Sequence, residues 1–240
     1  MVRQRCGIEE QLHVLHVPVP EITQDEYVAA EPRLFAELQE AGLANGTVID
    51  SALPEAMSLL GRPKLDLHGW IDFPSGIGVG VVVAADDRGN GVLAALDDVA
   101  MHLRPVPADK LTEALVDLLP PVQAGRGHSI TVPMDMLDGS LPRDSWMEPN
   151  TPGGRLESDL RALRRLLGQQ RTGGGRIYAS ARDDVGRRYK TQYPLTYVDV
   201  ADGRWLLRQK AGDKPWIVAT PATPAALTDG ISDLLRTVLN

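Results

Sequence analysis

The spacing of apolar residues along this chain switches from a helical repeat to strict alternation and back, and it does so twice. Past residue 60 the period becomes two. Lys64-Leu65-Asp66-Leu67-His68 alternates, and Ile77, Val79, Val81, Val83 and Ala85 share one parity. A turn over residues 86–91 leads to a third alternating stretch at 92–96. Past Asp97-Asp98 comes a fourth at 100–104, where Met101 and Leu103 alternate with His102 and Arg104. Strands this close, separated by turns and not by helices, read as an antiparallel meander. A helix follows at 107–119 with Leu111, Leu115 and Leu118 on one stripe, and Pro120-Pro121 ends it.

The second half repeats this order. A helix at 157–167 carries Leu160, Leu163 and Leu167. Strands are expected at 176–182, 189–200, 204–209 and 216–220, with Asp202-Gly203 as a hairpin signal and Gly212-Asp213 splitting the last two. The final helix opens on Thr223 and Pro224 and carries Leu227, Ile231, Leu234, Leu235 and Val238 on one stripe. Even short text echoes: Ser58-Leu59-Leu60-Gly61-Arg62 precedes the first meander and Arg165-Leu166-Leu167-Gly168-Gln169 the second. The expectation is an α+β fold built as a pseudo-twofold duplication, each half helix, four-stranded meander and helix, around a central antiparallel sheet. Residues 1–121 make the N-terminal half, 122–154 a linker with one strand-like stretch at 129–132, and 155–240 the C-terminal half. The meanders could form separate sheets or one continuous sheet; a shared core is the more economical, giving one compact unit. Ahead of the first meander we expect a short strand at 11–17, closed by Pro18 and Pro20, and a helix at 24–41 that Pro32 divides and Gly42 stops. A second short helix at 51–60 would be capped by Ser51, with Leu53, Met57 and Leu60 on one side.

Composition narrows the function. One Cys excludes a disulfide framework or a Cys-rich metal site, and Cys6 shows no sign of activation. A net charge of −7 and 5% aromatic residues argue against a nucleic-acid protein. The basic start is followed by Glu9 and Glu10 with no apolar stretch behind it, so a cytosolic location is expected. Gly76, Gly78 and Gly80 lie inside an alternating run of Val, not between a strand and a helix, so they read as close packing and not as a phosphate loop. His13 and His16 would point to opposite faces of a strand. The pairs Asp86/Asp87, Asp97/Asp98 and Asp183/Asp184 each sit at a turn, where Asp bonds its own backbone. The basic run from Arg161 to Arg188 reads either as solvated edges or as a surface for an acidic partner. No catalytic residue, metal or cofactor is expected. An enzyme with a cleft between the halves, or a self-associating protein using its sheet edges, stays open from the residues alone.

The ordered set of segments resembles the EspG family of type VII (ESX) secretion-associated proteins. The resemblance covers most of the chain. It is carried by the helix around residues 34–43, by Ile49-Asp50, and by Arg62-Pro63-Lys64-Leu65-Asp66-Leu67. It continues in Tyr193-Pro194-Leu195-Thr196-Tyr197-Val198-Asp199, Asp202-Gly203-Arg204-Trp205-Leu206 and Trp216-Ile217-Val218-Ala219-Thr220-Pro221, then in the last helix. The resemblance implies a cytosolic, non-enzymatic chaperone of actinobacteria that binds the helical tip of a PE–PPE heterodimer before export, with no membrane span. By position, the partner surface would comprise Trp70, Phe73, Pro74, Ser75 and Ile77 around the first meander loop, and Leu227 and Ile231 of the last helix. On that reading Phe73→Asp should weaken the complex without changing thermal stability. The chain departs from the family pattern in starting late, without the opening helix, and in its short first meander loop. Free protein as a homodimer is compatible with this reading.

Overall fold

A computed structural model describes residues 13–17, 23–137, 153–210 and 215–239. Cys6, Leu12, Pro18, Pro20 and the Gly212-Asp213 turn lie outside them. The first described residues, His13–Leu15, form a 3-10 turn and not the expected strand. The adjacent Val14 and Leu15 are both buried. A strand would send one of them to each face, whereas a tight turn packs both inward. Helix α1 (Gln24–Glu40) runs unbroken through Pro32, which is exposed, so water can serve the carbonyl that its ring leaves unpaired. Thr23 and Glu26 close a capping box at its start. At its end Gly42 N donates to Gln39 O and Leu43 N to Leu38 O, the Schellman pattern, and Leu43 packs with Leu38.

Strands β1 (Ala44–Asn45) and β2 (Val48–Ile49) form a small ribbon that alternation does not reveal; the Asn45-Gly46 pair was its local signal. Helix α2 (Ala52–Gly61) follows. Ser51 makes no cap bond; Asp50 Oδ1 accepts from Ala52 N at 2.9 Å in its place.

The first meander consists of β3 (Leu65–Asp72), β4 (Gly78–Ala85), β5 (Asn90–Leu96) and β6 (Met101–Pro107). A 3-10 turn at Ala108–Lys110 leads into helix α3 (Leu111–Leu118), so the helix expected from residue 107 begins at Leu111, the first residue of its apolar stripe. The segment between the halves supplies strand β7 (Ile130–Pro133). Helix α4 (Gly153–Leu167) precedes β8 (Arg171–Arg182), β9 (Arg188–Lys190), β10 (Leu195–Val200), β11 (Gly203–Lys210) and β12 (Trp216–Pro221), and helix α5 (Pro224–Leu239) closes the chain. The long strand expected at 189–200 is two strands. Thr191 leaves the ladder, bonding Ala179 through both its N–H and its hydroxyl, and Pro194 has no N–H to give.

All strands except β1 and β2 belong to one ten-stranded sheet, ordered β6-β5-β4-β3-β8-β10-β11-β12-β7, with β9 paired to β8. The two meanders meet at the antiparallel β3–β8 seam, where Leu65 pairs with Ala181 and Asp72 with Gly174. The order on either side of that seam is mirrored, as a pseudo-twofold axis between β3 and β8 requires. One face packs under α3 and α5, around Leu67, Val81, Ile177, Leu195, Leu227 and Ile231. The other face is covered twice, at separate places. The turn at 13–15 and α2 cover β4 and β5, through Leu60, Val82, Ala84 and Val92. Helix α4 covers β7, β10, β11 and β12, through Leu160, Leu163, Val198 and Trp205.

Candidate functional site

Between those two covers, the middle of the second face carries no helix among the described residues. The outward residues there are polar or aromatic, as alternation along β3 and β8 dictates. Three cross-strand pairs line the strip: Asp66 with Ser180, His68 with Tyr178, and Trp70 with Arg176. Strand β9 adds Lys190, which pairs with Ser180, and Arg188. Asp66 is only 1% exposed. Its carboxylate accepts from His68 Nδ1 at 2.6 Å and from Arg188 Nη2 at 3.2 and 3.3 Å, and Arg188 Nη2 also reaches Ser180 Oγ at 3.1 Å. The buried charge is therefore satisfied on all sides, which such burial demands. The His68 ring stacks on Tyr178, centroids 5.8 Å apart at 17°. Lys190 Nζ sits 4.1 Å from the Tyr178 ring centre. Of these groups Trp70, Arg176, Arg188 and Lys190 are exposed, Tyr178 is half-buried and His68 is buried.

The first meander loop closes one end of this strip. Phe73 N donates to Ile77 O and Gly76 N to Phe73 O, making a tight turn. A cleft of about 770 Å³ opens beside it, lined by Trp70, Asp72, Phe73, Pro74, Gly76, Arg171, Thr196 and the run Gly173-Gly174-Gly175. The glycines are the floor. A methyl on Gly175 would lie 2.6 Å from the Tyr197 ring and 2.9 Å from Trp70 O, so this stretch of β8 admits no side chain. The strand expected at 176–182 extends back to Arg171, through glycines that have no side chains to alternate.

Of the residues expected at a partner surface, Trp70 is 46% and Ile77 49% exposed, and Pro74 and Ser75 are exposed at the loop. Phe73 is half-buried and packs against the main core, on the opposite side of the sheet from the strip. Leu227 and Ile231 correct the expectation. They are 2% and 0% exposed, packed under the sheet, because the apolar stripe of α5 faces the core.

Other candidates resolve as structure. Asp86 Oδ1 accepts from Arg88 N and Asn90 N, Asp97 Oδ1 from Val99 N and Ala100 N, and Asp183 Oδ1 from Val185 N and Arg187 N, so each holds a turn. The Asn90 side chain holds the Asp86 carboxyl, and backbone donors the Asp97 carboxyl, below the usual range. His13 and His16 do not diverge as a strand would have them; on the 3-10 turn their ring centres are 6.3 Å apart, and His13 meets Trp70 edge-on at 6.5 Å. Gly80 is a point of close approach, as its run suggested: the Val14 carbonyl occupies the space of a Cβ. Among the described residues no group of three or more His, Cys, Asp or Glu could hold a metal ion, and no helix is long and apolar enough to cross a membrane. One buried pair escaped sequence reasoning: Arg204 and Asp199 bond bidentately at 2.6 and 2.8 Å on the α3–α5 face. The Asp202-Gly203 turn, which sets the register of β10 against β11, was the signal that could have paired them.

A family model described as the EspG family matches residues 1–233. Among solved structures, the chain is similar to the Mycobacterium tuberculosis type VII secretion system chaperone EspG5 in complex with the PE25–PPE41 dimer, with a TM-score of 0.70 and 20% identity, covering 99% of this chain and 92% of that one. No curated protein matches.

Proposed function

The chain belongs to the EspG family, and from that premise we propose that it is a cytosolic type VII secretion chaperone that binds a PE–PPE pair and keeps it soluble until export. The observation that carries this reading is the match along nearly the whole chain to a chaperone solved with a PE25–PPE41 dimer bound. The uncovered strip and its loop supply a surface of the right kind. Exposed Trp70 and Ile77 offer apolar area, while Arg176, Lys190 and Ser75 keep the surroundings polar. Such a mixed surface suits a complex that must come apart at the secretion machinery, which an obligate hydrophobic interface would resist.

The work is done by burial and not by bond making. A helical tip with apolar side chains is an aggregation hazard when exposed. Covering it removes that area from water at about 25 cal/mol per Å². We place the contact at Trp70, Pro74, Ser75 and Ile77, with Phe73 holding the loop from beneath, and we read residues 1–121 and 155–240 as acting as one unit. The test is co-expression with the PE–PPE pairs encoded beside the gene, followed by affinity capture. A soluble complex of all three chains is expected. Recovery of no pair, with every pair soluble on its own, would overturn the reading.

A further inference from the structure

We propose that the uncovered strip selects an acidic segment of its partner, with Arg176 and Lys190 as the charges that read it. For the partner's identity the proposal rests on the chaperone reading above; for its chemistry it rests on the strip alone. The whole chain carries a net charge of −7, yet the strip runs the other way. Its cations are Arg176, Arg188 and Lys190, and the carboxylate among them, Asp66, is buried and already engaged by Arg188 and His68. Asp72 lies beyond Trp70, at the loop end. Arg176 and Lys190 are exposed, and among the described residues neither has a carboxylate within salt-bridge distance.

Both charges project from the sheet onto the strip, and Lys190 is held there by a ring contact. Lys190 is anchored over the Tyr178 ring, and Arg176 stands opposite Trp70 across the β3–β8 seam. The sheet places both residues on one face, and the ring contact limits what the Lys190 side chain has to lose on binding. A segment entering from the loop passes Asp72 and then meets Trp70 and Arg176, followed by Tyr178 and Lys190. Each step offers an aromatic surface beside a cation. The matching occupant is a protein segment in which apolar side chains are interleaved with Asp or Glu. A nucleic acid fits less well, since the chain as a whole repels a polyanion and two unpaired cations engage few phosphates.

The test uses the full chain and fluorescence anisotropy. The probe is a short fluorescein-labelled peptide of alternating Glu and Leu, set against the same peptide with Gln for Glu and against a single-stranded oligodeoxynucleotide. The Glu peptide should bind about tenfold more tightly than the Gln peptide at low salt, with the advantage shrinking as salt rises. An Arg176→Gln/Lys190→Gln double variant should lose that preference while keeping the wild-type circular dichroism and thermal midpoint. Equal binding of the two peptides, a double variant that keeps the preference, or tighter binding of the oligonucleotide overturns the proposal. So does a dimer mass that the double variant abolishes, since a second copy would then occupy the strip. Capture of a PE–PPE pair separates the two readings. A pair held equally well by the double variant removes the acidic-segment proposal and leaves the chaperone; a Glu preference with no pair captured does the reverse.

Discussion

Asp199 and Arg204 face each other across β10 and β11, both almost fully buried. Removing one partner strands the other charge without water. Asp199→Ala should therefore cost about 3–5 kcal/mol in a urea denaturation, while Asp199→Leu with Arg204→Met should recover much of it. A single variant as stable as wild type would show the pair to be idle. Beside it, the Tyr197 ring lies 4.6 Å from the Arg204 guanidinium, and its hydroxyl has no partner among the described residues. Burial raises this phenol above its ordinary pKa. The fold thus favours the neutral form, and the stability it lends is present below about pH 10 and lost as pH climbs further. In an ultraviolet titration of the five tyrosines, one should ionise only as the protein unfolds. Trp70 and Phe73 part company at this scale too. Trp70→Ala should change stability by less than about 1 kcal/mol and weaken PE–PPE capture, because nearly half of the residue is exposed and no core cluster includes it. Phe73→Asp should lower the thermal midpoint, contrary to expectation from sequence, because its ring packs on the core. A run of letters places both residues at the same hairpin. It does not tell which of them a distant helix covers.

Among the elements, β8 is the most constrained. Gly175→Ala would drive a methyl into the Tyr197 ring and the Trp70 carbonyl, with a loss of about 2 kcal/mol or more in urea denaturation. In β4, Gly78→Ala meets only Asp72 Oδ1 at 3.7 Å and should be neutral or slightly stabilising by the entropy it removes from the unfolded chain. If both cost the same, close packing is not the reason for the glycine run. Alternation was enough to locate most strands, since one buried face imposes a period of two regardless of neighbours. It failed where something other than burial of one face set the backbone: at the glycine floor, at the 13–15 turn with both Val14 and Leu15 inward, and at the break between β9 and β10. Turn chemistry was more legible, because an Asp that bonds the backbone two residues on needs only its own segment.

At the scale of the whole molecule, the main core draws on both halves through the β3–β8 seam, from Leu67 and Val81 on one side to Ile177 and Ile231 on the other. The halves should therefore unfold together. Urea transitions followed by tryptophan fluorescence and by far-ultraviolet circular dichroism should coincide; two separated transitions would mean that each half stands alone. The duplicated order of elements, the antiparallel pairing within each meander and the inward faces of the helices were all determined by the sequence itself, because they arise from periodicities within a few residues. The strip was decided only in three dimensions. Helices α2 and α4 cover the same face at separate places, and Arg188 reaches Asp66 from 122 positions away. Which stretch of a sheet is left bare, and which charges on it are already matched, depends on contacts between distant segments, and no local pattern of residues encodes them.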